Sequence, residues 1–286
     1  MKIISSYISG LKMSGRYCKM SLFIYSINLI LGLVVALPFL GAIKNGFGSS
    51  MLPDALLQGF DFTALTEFIR QSAKSIGGFF IQMRWIIFLY LVLSILFSGG
   101  ILNIFNQNEK YSSASFLFGC SKYFFRFTKL FLYIILLNIL IALIIYLPLV
   151  FIVKAVGKSA DSESTLFFIV LTGVLIHLIL FIILQIVSFY TKIYIVTHDT
   201  RKVFISVFRS IGFVFKHFIR TFSLFIMLII TSIILILIFY ILKRIIGTGP
   251  GSAILIMFFI QQAFIFSRVF IRNWFYGSQY VLFNGF

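Results

Sequence analysis

Six stretches of this chain each run for more than about 20 residues without a charged side chain, which is long enough for a helix to cross a hydrocarbon core of about 30 Å. Only helices and closed barrels satisfy their backbone hydrogen bonds in lipid, and the alternating pattern of an outer-membrane barrel is not present. The sequence therefore predicts an all-α fold, a polytopic transmembrane helical bundle of about six spans forming one domain over 1–286. The predicted spans are about 20–43, 85–107, 130–153, 165–190, 221–242 and 252–270.

The composition agrees with a chain that is solvated by lipid. Hydrophobic residues make up 61% of it and charged residues 11%, whereas soluble domains carry about a quarter charged residues. The formal net charge of +17 suits either nucleic acid or an anionic membrane surface. Because the basic residues flank the apolar runs, we expect the partner to be a bilayer with anionic head groups and not nucleic acid.

The distribution of charge predicts an orientation. Most Lys and Arg lie in the N-terminal segment, the second and fourth connections and the C-terminal end, and cytoplasmic segments are the ones enriched in these residues. Both termini are therefore expected in the cytoplasm, most simply of a bacterial inner membrane. The first apolar run exceeds the length of a signal peptide core, so we interpret it as a retained anchor. The opposite side carries most of the acidic residues, namely Asp54, Asp61, Glu67, Asp161 and Glu163.

Basic, aromatic-rich connections precede the odd-numbered spans, and we call them elbows. Helical periodicity over 201–222 predicts an apolar face and basic flanks, a pattern typical of helices at the membrane–water boundary. Segments 113–127 and 3–20 resemble it less regularly. An ordinary anchoring role is the favoured interpretation, with lipid sensing or partner binding as alternatives. The predicted contacts with lipid head groups are Arg126, Lys129, Arg201, Lys202, Arg209, Lys216 and Arg220.

An internal repeat relates two of the spans. Shifting the chain by 110 residues aligns 16–44 with 126–154 without a gap, and it pairs Asn28 with Asn138 and Pro38 with Pro148. A weaker third copy begins at His217. The pattern predicts three helical hairpins with helix kinks at the two prolines.

No motif of a known enzyme class is present in the sequence. There is no zinc-protease, phosphate-loop or nucleophile-elbow pattern, and no Asp or Glu lies inside a predicted span. We therefore predict no catalytic residue, metal or cofactor. Interhelical packing is the favoured role for the intramembrane polar residues, and lining of a substrate path is the alternative. These candidates are Asn28, Asn138, His177, Gln185, Gln261 and Gln262.

The external connection 44–84 contains a segment that begins at Asp61 and is predicted to form a short amphipathic helix.

The elbow residues resemble those of uncharacterised bacterial six-helix membrane proteins, and so does the aromatic segment near the C-terminal end. The residues that carry this resemblance are 123–127, 213–218 and 274–276. These proteins in turn are similar to the membrane domain of some glycerophosphodiester phosphodiesterases. The resemblance implies a six-helix fold, and because the catalytic phosphodiesterase domain has no counterpart in this sequence, no hydrolase residues carry over.

Three functions remain open from the sequence. The favoured one is a non-enzymatic membrane protein that moves or senses a small or lipidic molecule. The second is a structural or assembly partner of another envelope protein complex. The third is an enzyme that uses interfacial residues, for which His198 beside Asp199 is the one acid–histidine neighbour pair.

Overall fold

The computed structural model describes residues 2–47, 62, 63, 66, 70, 73–157, 163–246 and 251–286. Within these ranges the chain forms eight helices and no strand, so the all-α prediction is confirmed. Six of the eight are long and apolar enough to cross a membrane, and the chain is an integral membrane protein. The helices are α1 (Lys2–Arg16), α2 (Cys18–Phe47), α3 (Ala73–Gln107), α4 (Ser113–Val156), α5 (Glu163–Thr197), α6 (Val203–Lys216), α7 (Phe218–Ile246) and α8 (Gly251–Asn284).

The chain divides into two compact units. The first, called the main unit, comprises Met1–Ser21 and Leu96–Phe286, and the second comprises Leu22–Ile95. Asn28 and Pro38 lie on α2 in the second unit. Most of the external connection, including the predicted helix after Asp61, lies outside the described residues.

Two antiparallel helix pairs build the membrane-spanning part of the main unit. In the α4–α5 pair, Tyr146 stacks on His177 with ring centroids 5.4 Å apart. In the α7–α8 pair, Phe239 stacks on Phe264 at 4.2 Å. Each pair consists of two spans that are consecutive in the chain, which is the arrangement that the hairpin prediction expects.

The large buried side chains of the main unit concentrate at one end, which we call the elbow end. It consists of α1, residues 96–107 of α3, 113–130 of α4, 184–197 of α5, all of α6, 218–228 of α7 and 269–284 of α8. The helices extend past the predicted spans here, with α5 reaching Thr197 and α8 reaching Asn284. This extra length supplies most of the aromatic core, namely Phe116, Tyr123, Phe127, Trp274 and Tyr276, to which Tyr190 is added from the end of the predicted span.

The opposite ends of α4, α5, α7 and α8, called the open end, present large apolar side chains outward. Phe151, Phe167 and Ile245 are each more than half exposed. Lipid chains are as apolar as these side chains, so no hydrophobic force draws the helices together at this end. The bundle consequently buries most of its large side chains at the elbow end and exposes many of them at the open end.

The elbow helices α1 and α6 each end at a one-residue break before the next span. Tyr17 interrupts the helix between α1 and α2, and His217 interrupts it between α6 and α7. In contrast, α4 passes through the equivalent position, Phe127, as one continuous helix. Positions 110 residues apart share burial, although the repeat itself stays a prediction: Ser6 with Phe116, Gly10 with Cys120, Tyr17 with Phe127 and Met20 with Leu130.

The apolar side of α6 is divided between two environments. Val207 and Val214 are buried, whereas Phe204 and Phe208 are about 60% exposed. A buried face of small residues packs against α5, and an aromatic face one side further around the helix points away from the protein. The periodicity of the sequence did not distinguish these two faces, because both are apolar.

Candidate functional site

The intramembrane polar residues predicted from the sequence are dispersed. Within the described residues, Asn138 Oδ1 and His177 Nδ1 are buried without a hydrogen-bond partner. Gln185 lies on α5 beyond His177, and Gln261 and Gln262 lie on α8. None of these five lines either of the two cavities described next.

The first cavity, called the proline cavity, has a volume of about 400 Å³ and lies between α4 and α5. Pro148 and Gly173 face each other across it. The space beside Gly173 that a side chain would take is occupied by the Leu149 side chain, so the glycine lets α4 approach α5 closely here. Its walls are apolar except for Thr172: Ile145, Pro148, Leu149, Ile152, Ile169, Thr172, Gly173 and Ile176.

The second cavity, called the arginine cleft, has a volume of about 360 Å³ and lies between α5, α7 and α8. Two arginines, Arg268 and Arg272, are part of its otherwise mostly apolar wall. Its lining residues are Phe189, Ser232, Leu235, Ile236, Arg268, Ile271, Arg272 and Phe275.

One face of α8 builds the arginine cleft. Residues four apart on a helix lie on the same side, so Phe264, Arg268 and Arg272 follow one another along that face. The Phe264–Phe239 stack bounds the cleft towards the open end. Phe275 bounds it towards the elbow end, where its ring lies 6.2 Å from that of Phe189 on α5.

The cleft lies at a depth where charge is costly. Arg268 and Arg272 face Ser232 and Ile236 of α7, which are about 18 and 24 Å beyond Arg220 at 1.5 Å per residue. The apolar run of α7 extends from Arg220 to Lys243. The cleft therefore opens within the apolar part of the helix pair and not beyond its end.

The sequence analysis treated Arg268 and Arg272 only as flanks of the last span and missed this site. Their i, i+4 spacing on an apolar helix was the available signal. Arginine inside a span is rare and usually has a task. What the spacing alone does not reveal is the register of α7 against α8, which puts both residues beside Ser232.

A third cation lies next to the cleft. Lys192 of α5 donates to the hydroxyl oxygen of Tyr276 over 3.4 Å. Its ammonium group is 5.7 Å from the ring of Phe189 and 5.9 Å from that of Phe127. A cation beside aromatic rings is attracted to their faces, and α5 and α8 together bring three basic side chains to this region.

The sequence of α7 and α8 contains no Asp or Glu to balance this charge. The acidic residue of α5, Glu163, lies about 39 Å along the helix from Phe189. An anion in the cleft would thus face cations without competing carboxylates from these three helices.

At the elbow end, Arg126 is engaged within the protein. Its guanidinium donates to Asp199 over 2.7 Å and to the Thr200 carbonyl over 3.3 Å, and its side chain is 13% exposed. Lys122 also pairs with Asp199, over 2.9 Å. Partial burial opposes ionisation of Asp199, but the bonds from Lys122 and Arg126 outweigh it and lower the pKa of this carboxyl group.

The other predicted head-group residues are exposed, and their lipid contacts stay predictions. Arg209 donates to the Tyr194 hydroxyl and lies over its ring. Arg220 lies over the ring of Phe286 at 5.1 Å. The remaining members of the set are Lys129, Arg201, Lys202 and Lys216.

His198 and Asp199 do not converge on one point. The His198 ring stacks on Tyr194 at 4.2 Å and its Nδ1 lies 3.2 Å from the Tyr194 carbonyl oxygen. Asp199 faces the two basic residues of α4 instead. Among the described residues, no group of three or more His, Cys, Asp or Glu is placed to hold a metal ion.

Comparisons with protein families, with curated proteins and with solved structures gave no match. The resemblance to the membrane domain of glycerophosphodiester phosphodiesterases therefore stays a prediction.

Proposed function

We propose that this integral membrane protein binds a lipidic molecule in the arginine cleft and moves or senses it without catalysing a reaction. The observation that carries the proposal is a cavity of about 360 Å³ that contains cations and is bounded by three membrane-spanning helices. Ligand pockets usually measure about 300–1,000 Å³ and combine apolar walls with a few polar groups. The arginine cleft has both properties.

The cleft is accessible from the side, as binding from within a bilayer requires. Ile236 at its rim is 53% exposed, and Arg268 is also exposed. A molecule dissolved in the membrane reaches this rim without crossing the packed elbow end.

The proposed setting is a bacterial inner membrane with both termini in the cytoplasm. The elbow end then lies at the cytoplasmic boundary. There α1 and α6 act as interfacial helices, with Phe204 and Phe208 in the acyl-chain region and the basic flanks at the head groups. The three-hairpin repeat would relate the spans by an axis near the membrane normal.

A structural or assembly role is the second candidate. It is favoured by the open end, where α4 and α5 expose large side chains such as Phe151 and Phe167 on faces that a partner helix can cover. An assembly role at the open end does not require a ligand in the cleft. Whether a lipid occupies the cleft therefore distinguishes the two functions.

The test blocks the arginine cleft with a bulky side chain and measures whether lipid is still bound. We expect the purified protein to retain a lipid molecule through delipidation in mild detergent, as measured by native mass spectrometry. Leu235→Trp should abolish retention, since Leu235 lines the cleft. Ile234→Trp is the matched control, because Ile234 neighbours it on α7 but is half exposed and does not line the cleft. Absence of a retained lipid in the wild type would defeat the proposal.

A further inference from the structure

The chemistry of the arginine cleft narrows the class of molecule it takes. We infer that the ligand is a membrane phospholipid whose head group carries a net negative charge, held at its phosphate by Arg268 and Arg272. The inference rests on the proposed function and names the ligand class of the same site.

The donors fit a phosphate. A guanidinium is a planar fork that donates two parallel hydrogen bonds to phosphate oxygens, and these charge-assisted bonds are stronger than neutral ones. Arg268 and Arg272 are one helical turn apart on one face of α8, which puts two such forks against the same volume. The hydroxyl of Ser232 across the cleft already donates to the Leu228 carbonyl oxygen over 3.1 Å, so the two arginines are the donors that this site offers to a phosphate.

The charge balance selects an anion. Arg268 and Arg272, with Lys192 close by, bring three positive charges to a region where α7 and α8 contain no carboxylate. Charge at this depth is costly unless it is compensated. A zwitterionic head group brings its own ammonium into the same region, which the three cations repel, so a net anionic head group is preferred.

The size and the walls select a lipid over a free phosphate ion. A volume of about 360 Å³ is at the small end of ligand pockets, which suits a head group and glycerol but not two acyl chains. The chains have apolar surface to lie on, since Ile236 at the rim and Tyr240 one turn further are both exposed. A free ion would lose its hydration among Leu235, Ile271 and Phe275 with no apolar contact in return.

The first experiment uses the wild-type protein and therefore does not depend on the folding of a variant. The protein is placed in nanodiscs containing phosphatidylcholine and phosphatidylglycerol with identical chains, and the retained lipid is identified by native mass spectrometry. We expect phosphatidylglycerol to be enriched about tenfold over its share of the bilayer, a preference typical of a charged hydrogen-bonded pair. Equal retention of both lipids would overturn the inference while leaving lipid binding, and so the proposed function, intact.

The second experiment tests whether Arg268 and Arg272 cause the preference for phosphatidylglycerol. Arg268→Gln and Arg272→Gln should each reduce the enrichment several-fold, and the double variant should abolish it. Arg244→Gln is the control, because Arg244 is an exposed cation at the far end of the same helix pair. A double variant that folds, as judged by its melting curve, and keeps the wild-type preference would contradict the assignment.

The third experiment separates the two sources of phosphate. Inorganic phosphate at millimolar concentration is added to the nanodiscs, and we expect it to leave the retained phosphatidylglycerol unchanged. Displacement of the lipid by inorganic phosphate would show that the cleft binds the free ion, which would also overturn the inference.

Discussion

Asp199 connects parts of the chain that are far apart in sequence. It lies in the turn between α5 and α6 with a positive φ of 44°, a conformation that aspartate tolerates better than most residues. From there its carboxylate reaches Lys122 and Arg126 on α4. The sequence suggested Asp199 as a candidate for interfacial chemistry, whereas its neighbours in the structure favour a role in fixing the elbows.

Removing this carboxylate should give a small loss of stability that depends on pH. The pKa of Asp199 is lowered by folding, so its contribution is complete above the unfolded value of about 3.9 and disappears as the pH falls through the folded value. Because the side chain is 53% exposed, we expect Asp199→Asn to cost less than about 1 kcal/mol at pH 7. Thermal unfolding in detergent should show a difference between variant and wild type that is constant at neutral pH and shrinks as the pH falls below the unfolded value.

Glu109→Gln provides the comparison for this measurement. Glu109 is an exposed carboxylate and forms no ion pair among the described residues. Its replacement should leave the melting temperature at pH 7 unchanged. A difference between Asp199→Asn and wild type that persists unchanged at pH 3 would mean that ion pairing is not what Asp199 contributes.

At the scale of elements, α1 and α8 form the closest helix contact of the elbow end. Tyr7 packs on Trp274 with ring centroids 4.5 Å apart and accepts a bond from its indole N–H at the backbone carbonyl, over 2.8 Å. One turn further, Gly10 lies directly against the backbone of Ser278. Small residues permit such close approach, and the contact holds the N-terminal helix along the last helix.

Adding a methyl group at this contact should separate the two helices. A Cβ on residue 10 would overlap the Ser278 backbone, which has little freedom to move. We expect Gly10→Ala to destabilise the protein by about 1–3 kcal/mol, as overpacking does in other cores. The measurement is the melting temperature in detergent, followed by the fluorescence of Trp274.

The same helix offers a matched control. Gly15 has no neighbouring atom within 4 Å of an added Cβ, so Gly15→Ala tests the change in helix propensity alone. It should be neutral or slightly stabilising. Equal destabilisation by both substitutions would indicate that the α1–α8 packing is not the cause.

Individual helices were largely predictable from the sequence, but their contacts were not. The apolar runs of α4, α5 and α7 are local properties, and each corresponds to one long helix. The division of the α6 faces depends on α5 covering Val207 and leaving Phe208 exposed. Likewise, the site at Arg268 depends on a partner helix, and periodicity within one segment contains no information about partners.

At the scale of the whole chain, the topology follows from the number of spans and the charge of the connections. Six spans would put both ends on one side, and the positive-inside rule predicts that this side is the cytoplasm. Protease added to intact spheroplasts should therefore leave tags at both termini uncut. A tag inserted at 247–250, between α7 and α8, should be cleaved.

Opening the spheroplasts supplies the control, since it should expose both terminal tags to the protease. Cleavage of a single terminal tag in intact cells would require an odd number of spans. Cleavage of both terminal tags would reverse the orientation and would put the elbow end at the outer surface.

The two arginines of the cleft also have a consequence for biosynthesis. On insertion scales, each arginine near the centre of a lone helix opposes its entry into the bilayer by about 2.5–3.5 kcal/mol. Of the six spans described, that of α8 is the least apolar, whereas α7 contains no charge between Arg220 and Lys243. We therefore expect α8 to leave the translocon most favourably while packed against α7, so that these last two helices enter the membrane as a pair.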